Sequence, residues 1–243
     1  MGLFFKRKKL EDLSFLNTDI HSHLIPGIDD GSANIEESIS LIGQMYELGY
    51  RKLVITPHVR YESFDNDPTT FDDRLSLLQT SLQEANIPIK TEIGAEHTVD
   101  DGFFTHLKNG TLKHFGKNKY LLIEFSFLNM LADIKDVVFK LQSSGYNLIL
   151  AHPERYLYLT QEREMINYLH DAGVLFQMNI LSLVGFYNRD TQRFAEDLIK
   201  DDKIDIVGSD LHHQQHLDAI KEALTNKMFI KLVESGRLMN NRF

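Results

Sequence analysis

Short apolar runs rich in β-formers alternate with stretches of helical period along almost the whole chain, and this rhythm limits the fold more than any other feature. The runs are Asn17-Thr18-Asp19-Ile20 and then residues 52–56, 89–94, 120–123, 148–151, 174–180 and 204–208. Asn34 is placed to cap the first helix. Glu37 stands at the capping-box position, and Ile35, Ile39, Ile42 and Tyr46 follow at helical spacing until Gly49. Leu75, Leu78 and Leu82 mark one face of a helix over 71–86, and further helices are expected over 131–144, 162–172, 190–200 and from about Gln214 onward. The Asp-, Asn- and Pro-rich stretch from Tyr61 to Thr70 reads as a loop. About seven strand–helix units with no linker between them predict one α/β domain over residues 17–243. Its parallel sheet is either closed as a barrel or open and doubly wound. Residues 1–16 are set apart as a basic and apolar tail.

The absence of cysteine excludes disulfides, thiolate metal sites and every phosphatase built on a cysteine nucleophile. A cytoplasmic location is the simplest reading. A net charge of −9 argues against a nucleic-acid partner held by a broad basic surface, although cations bound in a pocket can still dominate the local field. No apolar stretch has the length needed to span a bilayer. The start, Met1-Gly2-Leu3-Phe4-Phe5-Lys6-Arg7-Lys8-Lys9, is too short in its apolar run for a secretory signal; its composition allows weak contact with an anionic membrane surface.

In folds of this kind the reactive groups gather at the C-terminal ends of the strands. The first strand ends in His21-Ser22-His23, whose imidazoles, two residues apart, point the same way, and Asp29-Asp30-Gly31 follow in the next loop. Later strands end in Thr56-Pro57-His58, Gly94-Ala95-Glu96, Glu124, His152-Pro153-Glu154-Arg155 and Ser209-Asp210-Leu211-His212. Six of the seven predicted strands therefore bring a His, Asp or Glu to one rim. So many imidazoles and carboxylates in one place repel one another unless cations lie among them. The mixed donor set suits zinc, manganese or iron(II) and is too rich in nitrogen for calcium. It exceeds what one ion needs, so two or three ions sharing bridging carboxylates are expected.

These segments, in this order from residue 21 to 212, resemble the polymerase-and-histidinol-phosphatase (PHP) superfamily, and within it the bacterial tyrosine-protein phosphatases of capsule and exopolysaccharide gene clusters. His21-Ser22-His23 with Asp29-Asp30-Gly31, and Ala151-His152-Pro153-Glu154-Arg155, are its most specific parts. The resemblance implies a distorted (β/α)7 TIM-like barrel holding two or three divalent ions, manganese first, with iron, zinc or magnesium as alternatives. It implies that His21, His23, Glu96 and Asp210 hold one ion. Glu96 then bridges to a second held by Glu124 and His152, and Asp30, His58 and His212 hold the third. Arg155, Asp210 and His212 become the catalytic residues, with a metal-activated hydroxide attacking phosphotyrosine and Arg155 gripping the phosphate. The implied substrate is a phosphotyrosine protein, the Tyr-rich C-terminal tail of a membrane-associated tyrosine kinase.

One departure is visible. Relatives commonly carry a second phosphate-binding arginine after the last metal motif, where this chain reads His213-Gln214-Gln215-His216-Leu217-Asp218. Either His213 or His216 takes its place, or phosphate is held more weakly than in relatives. A small phosphomonoester such as histidinol phosphate, a nucleic-acid phosphodiester, amidohydrolase chemistry and a non-catalytic regulatory barrel are the competing readings. Outside the motifs, His97, His106, His114 and His170 read as packing or surface residues, and Glu154 as half of a structural salt bridge. Asp29 either assists Asp30 or caps the loop, and Asn179 is either a loop amide or a contact to the site. Tyr156, Tyr158, Phe186 and Tyr187 line either a cleft or the core.

Overall fold

A computed structural model describes residues 9–61 and 63–243. The possible membrane contact through Phe4, Phe5 and the adjoining basic residues falls on positions outside the described residues. In chain order the elements are β1 (Thr18–Asp19), α1 (Ile35–Glu47), β2 (Lys52–Ile55), β3 (His58–Val59), α2 (Phe71–Glu84), β4 (Lys90–Ile93), β5 (Glu96–Thr98), α3 (Asp101–Asn109) and β6 (Tyr120–Glu124). There follow α4 (Ile134–Ser143), β7 (Asn147–Ala151), α5 (Arg163–Asp171), β8 (Leu175–Asn179), α6 (Arg189–Lys200), β9 (Ile206–Gly208), α7 (Gln214–Ala223) and α8 (Lys227–Glu234). The result is a mixed α/β fold of two parallel sheets, ordered β1-β2-β4 and β3-β5-β6-β7-β8-β9.

Two of the strands, read as ending at Thr56 and Gly94, resume after a break as the short strands β3 and β5. Pro57 has no N–H to give to a ladder, and Thr56 turns its own N–H to the Ser22 carbonyl at 2.7 Å. At Gly94 a side chain would meet the Phe115 ring at 2.9 Å, so the strand narrows there to a bare backbone. Hydrogen bonds cross both breaks, from Gly94 N–H to the Ile55 carbonyl at 2.9 Å and from Glu96 N–H to the Pro57 carbonyl at 3.0 Å. The segments that follow the first and last strands meet: Ser22 bridges Leu211 in parallel, and His23 N–H donates to the Leu211 carbonyl at 2.9 Å. Asp19, buried beneath this junction, accepts from the Ser209 N–H at 2.9 Å and from its hydroxyl at 2.6 Å.

Side-chain alternation sorts the strands into two faces. Leu53 and Ile55, Leu121 and Ile123, and Leu148 and Leu150 join the main core with the helices. Val54, Leu122, Ile149 and Ile206 face the other way into a second apolar cluster with Ile20, Phe115 and Ala151. The first helix starts as its sequence dictates: the Asn34 side chain accepts from Glu37 N–H at 2.9 Å, and Glu37 reaches back to Ala33 N–H at 2.9 Å.

Three differences from the sequence reading have local causes. Helix α3 was not anticipated, because Gly102 and a polar face weaken its period, yet Asp100 caps it through Phe103 N–H at 3.0 Å and Gly110 ends it in the left-handed conformation. The C-terminal helical stretch is two helices, separated where Asn226 caps the second. Leu13 and Leu16, assigned to the tail, are buried in the main core, and Leu10 N–H donates to the Leu224 carbonyl at 2.9 Å. Among the described residues no helix is long and apolar enough to cross a membrane.

Candidate metal centre

Glu96, the first residue of β5, is the hub of the strand-end cluster. Its Oε2 lies 3.4 Å from His21 Nε2, 3.5 Å from His23 Nε2 and 3.0 Å from His58 Nδ1, and its Oε1 lies 2.8 Å from His152 Nε2. Asp210 Oδ1 is 3.4 Å from both His21 Nε2 and His23 Nε2, which are 3.2 Å from each other. Donors sharing one ion through bonds of about 2.1 Å sit about 3.0–3.4 Å apart. His21 and His23 come close to that spacing with Glu96 on one side and with Asp210 on the other, at 3.2–3.5 Å. Around the hub, His152 Nε2 is 3.9 Å from Glu124 Oε2. Asp30 Oδ1 lies 3.5 Å from His58 Nε2 and 3.4 Å from His212 Nε2. All nine metal-ligand candidates from the sequence are thus brought to one place. The grouping is less partitioned than expected, since His23 also reaches Asp30, His58 and His212, and His58 reaches Glu96 and Glu124.

The donors fit divalent ions on two further counts. His152 Nδ1 is buried without a hydrogen-bond partner among the described residues, and Glu96 Oε2 and His58 Nδ1, though 3.0 Å apart, make no well-directed hydrogen bond to each other or to another described residue, a costly state for polar atoms. Three imidazoles are also oriented from behind. His21 Nδ1–H donates to Gln177 Oε1 at 2.7 Å, His23 Nδ1–H to Asp29 at 2.9 Å and His212 Nδ1–H to the Asp210 carbonyl at 2.9 Å. Each such bond leaves Nε2 facing the cluster, the usual support of a ligating histidine. Asp29 therefore has a definite role: it orients His23 and also accepts from His58 N–H at 3.0 Å.

Backbone geometry keeps this packing tight. A side chain at Gly31 would stand 2.0 Å from the His23 carbonyl oxygen, so only glycine lets the Asp29-Asp30 loop close over His23. A side chain at Gly208 would strike Gln177 at 2.5 Å. His152 and Asp210 have φ of 33° and 48°, a left-handed backbone uncommon for non-glycine residues and concentrated at functional sites.

The electrostatics are those of a cluster in which protons stand in for cations. Burial alone would lower His21, but Glu96 and Asp210 raise it to about 10. His212 is likewise raised, against its burial, to about 9 by Asp30 and Asp210. Glu96 and Asp210, despite burial, are held well below the usual carboxylate range by their histidine neighbours.

The cluster floors a cavity of about 380 Å³. Arg155 enters it with Nη1 donating to Asp210 Oδ2 at 3.2 Å, its guanidinium held 4.5 Å from the Phe127 ring and 4.3 Å from the Tyr187 ring. Asn179 and Tyr187 also donate to Asp210, at 2.7 and 3.2 Å. His213 and His216 line the same cavity. His216 Nδ1 lies 3.2 Å from His212 N and 2.9 Å from the Asp210 carbonyl, accepting from the one or donating to the other according to its tautomer, so loop backbone engages Nδ1 and Nε2 is left over. Arg60, absent from the sequence candidates, lines the cavity too; its nearest signal is its place two residues beyond His58. A larger opening, about 1010 Å³, lies beside Lys52, Lys90 and Phe243 and contains none of the predicted site residues.

Glu154 is not half of a salt bridge. It is buried, accepting at Oε1 from Asn179 N–H at 2.9 Å and from the Ser182 hydroxyl at 2.7 Å, while Oε2 has no partner among the described residues. Burial pushes its carboxyl from 4.5 up to about 7. The folded protein then holds a proton that the unfolded chain releases, so Glu154 costs stability as pH rises from 4.5 to about 7. Glu154→Gln is expected to flatten that slope, by at most about 3 kcal/mol between pH 5 and 7.5, in denaturant titrations. Tyr156 belongs to the core, its hydroxyl accepting from Phe125 N–H at 3.0 Å. His97 packs edge-on against Phe103 and accepts from Lys113 N–H at 3.0 Å.

Comparison with known proteins places these features in context. The model of a family described as capsular polysaccharide synthesis, CpsB/CapC, matches residues 17–231. Tyrosine-protein phosphatase YwqE of Bacillus subtilis (strain 168) is 26% identical over 229 residues, 91% of this chain and 90% of YwqE. Tyrosine-protein phosphatase CpsB of Streptococcus agalactiae is 27% identical over 200 residues, 80% of this chain and 82% of CpsB. A crystal structure from work on YwqE of Bacillus subtilis and CpsB of Streptococcus pneumoniae, described as unique metal-dependent tyrosine phosphatases, aligns with a TM-score of 0.78. That alignment has 26% identity and covers 92% of this chain and 94% of the other.

Proposed function

The chain belongs to the capsular polysaccharide synthesis family CpsB/CapC, and on that premise we propose that it is a metal-dependent protein-tyrosine phosphatase. The observation that carries this reading is the convergence of His21, His23 and Glu96, with Asp210 3.4 Å from both imidazoles, beneath a cavity lined by Glu96, Asp210 and Arg155. YwqE and CpsB, over most of whose length the likeness runs, carry that activity in their names. The substrate proposed is a phosphotyrosine protein of the capsule or exopolysaccharide machinery, the C-terminal tail of a tyrosine kinase in the cytoplasm. One catalytic domain is read, residues 17–243 together with the core-packed segment from Leu10 that precedes them. The contact of Ser22 with Leu211 and the inward cluster of Ile20, Val54, Leu122, Ile149 and Ile206 support a sheet closed as a distorted (β/α)7 barrel.

His21, His23, Glu96 and Asp210 would hold one divalent ion, Glu124 and His152 with Glu96 a second, and Asp30, His58 and His212 a third, manganese being the first choice. Such ions supply Lewis acidity, a water made acidic near neutral pH and charge to balance the phosphate oxygens. The chain's own residues do the positioning. Arg155 offers a planar fork to the phosphate, held in place by Asp210 and by the two rings beside it. Asn179 and Tyr187 fix Asp210, and Gln177 fixes His21. With a parent pKa of about 10, the phenolate is a tolerable leaving group, and no residue is assigned as its acid. Manganese-loaded protein is expected to hydrolyse phosphotyrosine peptides, and His152→Ala to lose most of that activity. A wild type inert toward such peptides and indistinguishable from the variant would refute the reading.

A further inference from the structure

Arg60 sits at the end of β3, two residues past His58 and on the same side of an extended backbone that Phe64 pins through paired hydrogen bonds of 2.9 Å. Its Nε–H donates to Thr98 Oγ1 at 3.0 Å, and its Nη2 pairs with Glu124. Thr98 in turn donates to Glu124 at 2.5 Å. The head is therefore tied along one edge, and Nη1 has no partner among the described residues. A guanidinium carries five donors in a rigid fork, and only part of this one is used.

Arg155 is arranged in the same way. It is tied to Asp210, which follows β9, as Arg60 is tied to Glu124, which ends β6. Both heads line the cavity floored by the cluster. Each cation is thus fixed by a carboxylate belonging to a different part of the ligand set, with donors left over toward the same space. A phosphate monoester presents three terminal oxygens, and a single fork satisfies two at most. Neither His213 nor His216 offers a comparable fork.

We infer that Arg60 is the second phosphate-gripping residue of this site and fills the place expected of a loop arginine. The inference rests on the proposed phosphatase reading, but its test does not need turnover. Inorganic phosphate is titrated calorimetrically into manganese-loaded wild type, Arg60→Gln and Arg60→Lys, with metal content measured on each sample. Arg60→Gln is expected to weaken phosphate binding about tenfold to hundredfold with metal content unchanged. Arg60→Lys, which keeps the charge without the fork, is expected to fall between and provides the comparison where the Gln variant does not fold. On a phosphotyrosine peptide the loss should lie in KM at least as much as in kcat. Phosphate affinity within twofold of wild type would overturn the inference. So would a loss of affinity matched by a loss of metal, which would make Arg60 a support for Glu124 alone. A wild type that binds phosphate through Arg60 yet leaves phosphotyrosine intact would sink the phosphatase reading and spare this one.

Discussion

Glu96→Gln will strip the protein of most of its bound metal and lower kcat on a phosphotyrosine peptide by on the order of a thousandfold. The size follows from position. One carboxylate contacts His21, His23, His58 and His152, so a single change touches every proposed ion. Glutamine keeps the shape but removes the charge that holds His21 near 10, and with it the field that draws a cation into a buried site. Glu92→Gln is the matched control. Glu92 lies earlier along the same broken strand and pairs at 2.6 Å with the partly exposed Lys52, an interaction worth about 0–1 kcal/mol. Metal analysis and steady-state kinetics on the two variants decide the matter. A Glu96→Gln protein with wild-type metal content would remove Glu96 from the centre of the site.

The strand-end cluster of His, Asp and Glu was legible in the sequence for a simple reason. Apolar runs that end in His, Asp or Glu carry both the strand and its chemistry in adjacent residues, as in Ile123-Glu124 and Ala151-His152. Residues whose role depends on distant partners were not legible. Arg60 falls at the edge of a stretch that reads as loop, and its meaning comes from Thr98 and Glu124, which lie 38 and 64 positions away. Glu154 looks like a surface acid beside an arginine, yet the fold buries it against Asn179 and Ser182. Phe127 has no signal of its own; it matters because the loop after β6 lays its ring on the Arg155 head. The break at Pro57 was visible as a stop but not as a crossover, because the Ser22 carbonyl that takes up Thr56 N–H lies in the segment after the first strand, 34 positions away.

Metal binding will tighten by about tenfold for each unit of pH between 6 and 8 at the site of His21, and similarly at that of His212. In the metal-free protein these imidazoles carry protons over that range, since Glu96, Asp210 and Asp30 raise them to about 10 and about 9. A protonated imidazole has no lone pair for an ion, so each must release a proton first. The stability of the metal-free protein runs the other way. A histidine raised in the folded state stabilises fully below its unfolded value of 6.5, and the gain is lost as pH climbs toward about 10. The gap between metal-loaded and metal-free melting temperatures is therefore expected to widen steadily from pH 6 to 8. Manganese titrations in buffers of different ionisation enthalpy will count the protons released. A gap that stays constant, with no proton released on binding, would mean that His21 and His212 are not displaced by metal and that the ligand assignment is wrong.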